Sequence, residues 1–140
     1  MPGDGNAAAG PAPPAVTHPA RRARCRLLAE DLCGALWLVD FGEPIGREPS
    51  GTRPAAVVSA DGLNEGPSGA LMVVPVTSTR RGLPSHVEID TPNSGLDEVS
   101  YAKCEDLKSI SDRRLVHRMG TLDTTAMASI ERVLRYLLDL

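Results

Sequence analysis

From Gly34 onward, short apolar runs alternate with clusters of turn-forming residues. "ALWLVD" (35–40), "AAVVSA" (55–60), "ALMVVPVTS" (70–78), "HVEID" (86–90) and "VSYAKCE" (99–105) each read as a strand. Turn clusters at 42–51, 61–69, 80–85 and 91–95 separate them. The runs at 55–60 and 70–76 are almost unbroken hydrophobe, as expected of central strands, whereas "HVEID" alternates and is expected to lie half exposed. Short strands with no long helix between them predict a small, curled antiparallel sheet or barrel.

The period changes at the end of the chain. Beyond Met127, the apolar residues Ile130, Val133, Leu134, Leu137 and Leu138 follow helical spacing, with Glu131, Arg132 and Arg135 off the stripe. Asp123 stands where a helix cap belongs. "SDRRL" (111–115) predicts another short helix capped by Ser111, and the stretch before Cys33 offers one more. Ahead of that, residues 1–22 are Ala, Pro and Gly with little to bury, a composition expected to be disordered. The chain thus divides into a leader, 1–30, and one domain, 31–140.

Charge and composition narrow the functions. Four arginines against two carboxylates put residues 1–30 at +2, so the rest of a chain of net charge −3 stands at −5. An anion site in the domain must therefore come from local clustering. Three cysteines without CxxC spacing argue against a disulfide framework and suit a reducing, cytoplasmic setting. His18, His86 and His117 lack zinc-ligand spacing, and no metal or cofactor is expected. No apolar run approaches the ~20 residues of a membrane span. With one Trp, one Phe and two Tyr, the chain has no base-stacking platform and no aromatic groove for peptides.

The candidate chemistry lies at two strand ends. In "GREPSGTRPAAVVSA" (46–60), Pro54 fixes its own φ and drives Arg53 towards extended geometry at the strand entrance. There a guanidinium can fork onto a phosphate, or simply be solvated. In "VPVTSTRRG" (74–82), Thr77 and Ser78 end a strand ahead of Arg80 and Arg81. Hydroxyls beside cations can line an oxyanion pocket, or form an ordinary polar strand end.

Together these segments resemble the MazF/PemK family of toxin endoribonucleases, from about Gly34 to Leu140. The resemblance rests on the first strand, a G-x-E-x-x-G-x-R-P loop, a strand ending in P-x-T-S, and R-x-G-x-L-D before the last helix, in family order. It implies an SH3-like curled antiparallel barrel with short helices and a C-terminal helix packed on it. It also implies a homodimer that cleaves single-stranded RNA sequence-specifically without a metal, leaving 2′,3′-cyclic phosphate and 5′-hydroxyl ends. A MazE-like antitoxin would cover the same surface. By position, Arg53 and Thr77 fall on the catalytic arginine and threonine, and Glu48 on the loop glutamate. Glu48 is either the base or an ion-pair partner of Arg47 or Arg53. Arg47, Ser78, Arg80, Arg81 and His86 are candidate RNA contacts, with His86 either shuttling protons or bracing a loop. Departures from the family are Cys33-Gly34-Ala35 at the first strand and Glu105-Asp106-Leu107-Lys108 in place of Glu-Gln-Ile-Arg, where Asp106 is expected to repel phosphate. The alternative on the same scaffold is a non-catalytic, CcdB-like gyrase poison.

Overall fold

The computed structural model describes residues 32–43, 46 and 50–140. The expected leader and its short helix, and Arg47 and Glu48 of the loop, lie outside the described residues. Seven strands form one antiparallel sheet: β1 (Ala35–Asp40), β2 (Thr52–Val57), β3 (Ala70–Thr77), β4 (His86–Ile89), β5 (Ser100–Lys103), β6 (Lys108–Ser111) and β7 (Leu115–Thr121). A one-turn helix α1 (Asp61–Asn64) precedes β3, and α2 (Thr124–Leu138) ends the chain. The strand path is β4-β5-β3-β2-β1-β7, with β6 alongside part of β3. The sheet is curled rather than closed by continuous pairing.

Strand β3 is the hub, and Pro75 explains the curl. Ala70 to Val73 pair with β6, whereas pairing with β5 begins at Val76. Val74 and Pro75 fall at the change of partner, where proline's missing N–H leaves no ladder bond unmade. On the opposite edge the recorded ladder with β2 runs from Val57↔Val73 to Ala55↔Pro75. The strand therefore belongs to two directions of sheet, hinged at a residue that has no hydrogen to donate.

Both faces of the central strands are covered. On one, Leu36, Ala56, Val74, Val76 and Ala102 pack with Leu122, Ala126 and Ile130. On the other, Val39, Ala55, Val57, Leu71 and Val73 pack with Phe41 and Ile110. Two-sided burial is why these strands read as unbroken apolar runs. In α2, Asp123 Oδ1 accepts the N–H of Ala126 at 2.8 Å, the expected cap. Ile130, Val133 and Leu134 pack on the sheet as expected, but Leu137 and Leu138 are exposed, because the stripe outruns the surface it packs on.

Strands β6 and β7 are the main departure from the sequence reading. The segment 112–114 is a single 3-10 turn, with Ser111 Oγ accepting from Arg113 N–H, and it joins two strands instead of forming an α-helix. Ile110 is the one buried residue of β6, and β7 has none, so neither strand carries a hydrophobic signature. At Gly120, β7 passes against the 3-10 turn Pro92–Ser94 so closely that a Cβ there would overlap the carbonyl oxygen of Asn93.

The cysteines also differ from expectation: Cys33 is disulfide-bonded, while Cys104 is free and buried. Burial, with the neighbouring Glu105 charge, pushes the Cys104 thiol up from 9.0 to about 12. A neutral thiol is a poor nucleophile. Iodoacetamide at pH 8 should therefore leave Cys104 unmodified in the folded protein and label it in urea, as peptide mass mapping would show. Rapid labelling of the native protein would contradict the packing. No helix among the described residues is long and apolar enough to cross a membrane.

Candidate active site

The loop from Gly42 to Gly51 is pinned at its base. Phe41 N–H donates to Gly51 O at 2.9 Å, and Gly51 N–H donates to Gly42 O at 2.8 Å. Arg53 follows at the start of β2, paired with Val39 of β1. Its Nε donates to Ser50 O at 2.8 Å. That bond holds the stem of the guanidinium while the two terminal nitrogens, without partners among the described residues, face solvent. A planar fork anchored at its base is pre-aimed for a bidentate anion.

Thr77 closes β3 and pairs with Tyr101 of β5. Its Oγ1 accepts the N–H of Thr79 at 3.1 Å, which leaves the hydroxyl proton free to be donated outwards. The β2–β3 ladder ends at Ala55↔Pro75, and Arg53 and Thr77 each stand two residues beyond that pair on their own strands. Strand alternation puts Arg53 on the face of Ala55 and Val57, and Thr77 on that of Leu71 and Val73. Both are thus on the face away from α2.

Ser78, Arg80 and Arg81 are exposed on the segment leading from β3 to β4. His86 is placed differently. Its side chain is only 3% exposed, and its Nε2 lies 3.0 Å from Glu105 Oε2. Ser85 Oγ donates to the other carboxylate oxygen at 2.9 Å, and Cys104 N–H donates to Ser85 O at 3.1 Å. These are the surroundings of a bracing histidine: the cluster fastens the return end of the segment that presents Arg80 and Arg81. Asp106, expected to repel phosphate, is paired with Lys103 Nζ at 2.9 Å, which offsets its charge.

Burial pushes the Glu105 carboxyl up, but hydrogen bonds from the backbone, His86 and Ser85, with the His86 charge, outweigh it and hold the group below its ordinary value. A depressed carboxyl adds stability above its unfolded value of 4.5 and loses it as pH falls through the lower, folded value. The urea midpoints of wild type and Glu105→Gln should therefore differ at pH 7 and converge towards pH 3. A gap that stays constant over that range would mean that the carboxylate charge plays no part.

Sequence reasoning did not single out Tyr101 beside Thr77, the Ser85–Glu105 clasp, or the cation Arg114. The first two depend on pairing across segments; the last lies on a turn whose pattern was polar.

A curled antiparallel sheet of seven strands with a helix packed on one face, and Arg53 and Thr77 at strand ends on the other, is the class of small β-domain that the comparisons below identify. The sequence profile of PemK-like, MazF-like toxins of type II toxin–antitoxin systems matches residues 32–138. Endoribonuclease MazF9 of Mycobacterium tuberculosis (strain ATCC 25618 / H37Rv) is 33% identical over 112 residues, spanning 76% of this chain and 95% of that protein. The crystal structure of MazF (Form-I) from Deinococcus radiodurans aligns with a TM-score of 0.67 at 25% identity, covering 77% of this chain and 96% of the other. The MazE-MazF (Form-II) structure from the same organism aligns with a TM-score of 0.63 at 26% identity, covering 77% and 95%. The chain belongs to the PemK/MazF toxin family.

Proposed function

We infer that the chain is the toxin endoribonuclease of a toxin–antitoxin pair, and that Arg53 and Thr77 act on one phosphodiester of single-stranded RNA. The observation that supports this reading is that both lie two residues beyond the last β2–β3 pair on one face of the sheet, Arg53 with Nη groups that have no partner among the described residues and Thr77 with Oγ1 accepting from Thr79 N–H. The 2′-hydroxyl attacks phosphorus, the bond to the 5′-oxygen breaks, and the products are a 2′,3′-cyclic phosphate and a 5′-hydroxyl. The proton removed from the 2′-oxygen balances the one taken up by the leaving 5′-oxygen.

Negative charge grows on the non-bridging oxygens during attack, and donors aimed at that charge supply the largest share of catalysis. Arg53 clamps these oxygens and Thr77 adds a hydrogen bond. Arginine keeps its proton in proteins, so clamping outranks acid–base work for Arg53. Glu48 is the natural base on ordinary carboxylate grounds. Arg80 and Arg81, with Arg47, attract the flanking backbone. The protein works in the cytoplasm as a homodimer, restrained by an antitoxin that covers this face. Relatives named endoribonuclease and a relative crystallised as MazE-MazF support this reading over the gyrase poison.

Incubation with RNA in EDTA followed by end mapping tests it. Wild type should leave cyclic phosphate ends, and Thr77→Ala should lower the rate about 10²-fold with the fold intact. Full activity in that variant removes Thr77 from the site; intact RNA with wild type, alongside inhibited gyrase, transfers the case to the alternative.

A further inference from the structure

Cys33 stands where the leader joins the domain, and it is disulfide-bonded. Cys104, free and buried, takes no part. The chain has three cysteines, so the one partner it can itself offer Cys33 is Cys25 of the leader. Disulfides are uncommon in the cytoplasm, and one found there is usually transient and redox-sensing.

The anchor on the domain side is fixed. Gly34 N–H donates to Val57 O at 2.8 Å, Leu122 N–H donates to Gly34 O at 2.9 Å, and Ala35 N–H donates to Leu32 O at 2.9 Å. Leu32 packs against the apolar cluster of Val39, Ala55 and Val57, on the face that Arg53 and Thr77 share. The chain thus enters the domain beside that face. Cys25 stands between Arg24 and Arg26, in a leader of charge +2 joined to a domain of net negative charge.

Chain geometry gives the bond a consequence. Val39, which pairs with Arg53, is six residues along from Cys33, on the order of 20 Å. With the bond open, Cys25, eight residues before Cys33, can stand up to about 28 Å from it. That is far enough for Arg24 and Arg26 to meet RNA held at Arg53. A disulfide instead brings the two cysteine Cα atoms to about 6 Å. The Cα atoms of Arg24 and Arg26, one step from Cys25, then lie within about 10 Å of Cys33, and their side chains fall short of Arg53.

We propose that Cys25 and Cys33 form a thiol–disulfide switch, closed by a low-molecular-weight disulfide and opened by a low-molecular-weight thiol, that withdraws Arg24 and Arg26 from RNA at the Arg53 face. The proposal rests on the RNA reading above. In closing, one cysteine thiolate attacks the small disulfide and expels a thiolate, and the second cysteine then displaces the other. The two cysteines lose two electrons, the small disulfide gains them, and the two cysteine protons pass to the departing thiols.

The full chain, equilibrated with oxidised or with reduced glutathione, provides the test. Trypsin cuts after Arg24 and Arg26, which puts Cys25 and Cys33 on separate peptides, so their bond joins two peptides in a map made without reductant. The oxidised sample should show that pair, with Cys104 as a thiol. Binding is read by anisotropy with a fluorescein-labelled single-stranded oligodeoxynucleotide, which lacks the 2′-hydroxyl and is not cut. Oxidation should weaken it on the order of tenfold and lower the magnitude of the log–log salt slope by about 1.4, the share of two phosphate contacts. Cys25→Ser should bind like reduced wild type in both buffers. Cys33 bonded to Cys104 or to a second copy overturns the switch, as does equal affinity of wild type in its two states. A Cys25→Ser protein that still binds more weakly on oxidation overturns it too. RNA left uncut in EDTA removes the nuclease reading alone, because neither the crosslink nor oligonucleotide binding depends on cleavage.

Discussion

Arg53→Ala should fold like the wild type and cleave RNA about 10²–10³ times more slowly. The side chain is exposed and among the described residues makes a single hydrogen bond, from Nε to Ser50 O, so its loss costs little stability. The fork of terminal nitrogens is what the reaction loses. Because those nitrogens meet charge that grows only during attack, the loss should fall mainly on kcat and less on KM. Arg53→Lys should recover little, since an ammonium is a point charge without the paired geometry. Single-turnover rates with saturating RNA check this. An Arg53→Ala protein that cleaves at the wild-type rate would leave the face without its principal cation.

Gly120→Ala should be among the most destabilising single methyl additions. The added carbon would overlap the Asn93 carbonyl oxygen and crowd Ser94, both backbone atoms that no rotamer change can clear. Gly95, on the other side of the contact, has φ of +82° and would drive a Cβ into the Met119 carbonyl. Backbone is packed on backbone here, and overpacking of this kind costs about 3 kcal/mol. Urea denaturation should show a large drop in midpoint for Gly120→Ala, whereas Gly51→Ala adds a methyl that meets nothing among the described residues and strains only its own turn. A Gly120→Ala protein with the wild-type midpoint would mean that the turn does not sit on β7 as described.

This contact gives a physical reason for one of the motifs. Of the R-x-G-x-L-D signature, Gly120 makes room for the Pro92–Gly95 turn, Leu122 enters the helix-side core, and Asp123 caps α2. Leu122 and Asp123 are readable from pattern alone, because burial and capping follow local rules. Gly120 is not, since the backbone it must admit comes from nearly thirty residues upstream.

The same division runs through the fold. Strands β1 to β5 were legible because burial, on both faces for the central three, writes apolar residues into the sequence. Strands β6 and β7 were not, because edge strands carry polar and charged residues and draw their stability from pairing. In the candidate site, Arg53 and Thr77 could be singled out from Arg-Pro and Thr-Ser at strand ends, yet that those ends lie on neighbouring strands follows only from the β2–β3 pairing. His86 shows the reverse: its alternating strand suggested exposure, but Glu105, nineteen residues away, folds over it.

The most direct test of the central claim is a double-mutant cycle on Arg53 and Thr77, read as single-turnover cleavage of one RNA. If both groups grip the same phosphodiester, removing the second after the first should cost much less than removing it alone, so that Arg53→Ala/Thr77→Ala falls well short of the product of the two single losses. Losses that multiply in full would show two groups acting independently, and would contradict a shared scissile phosphate.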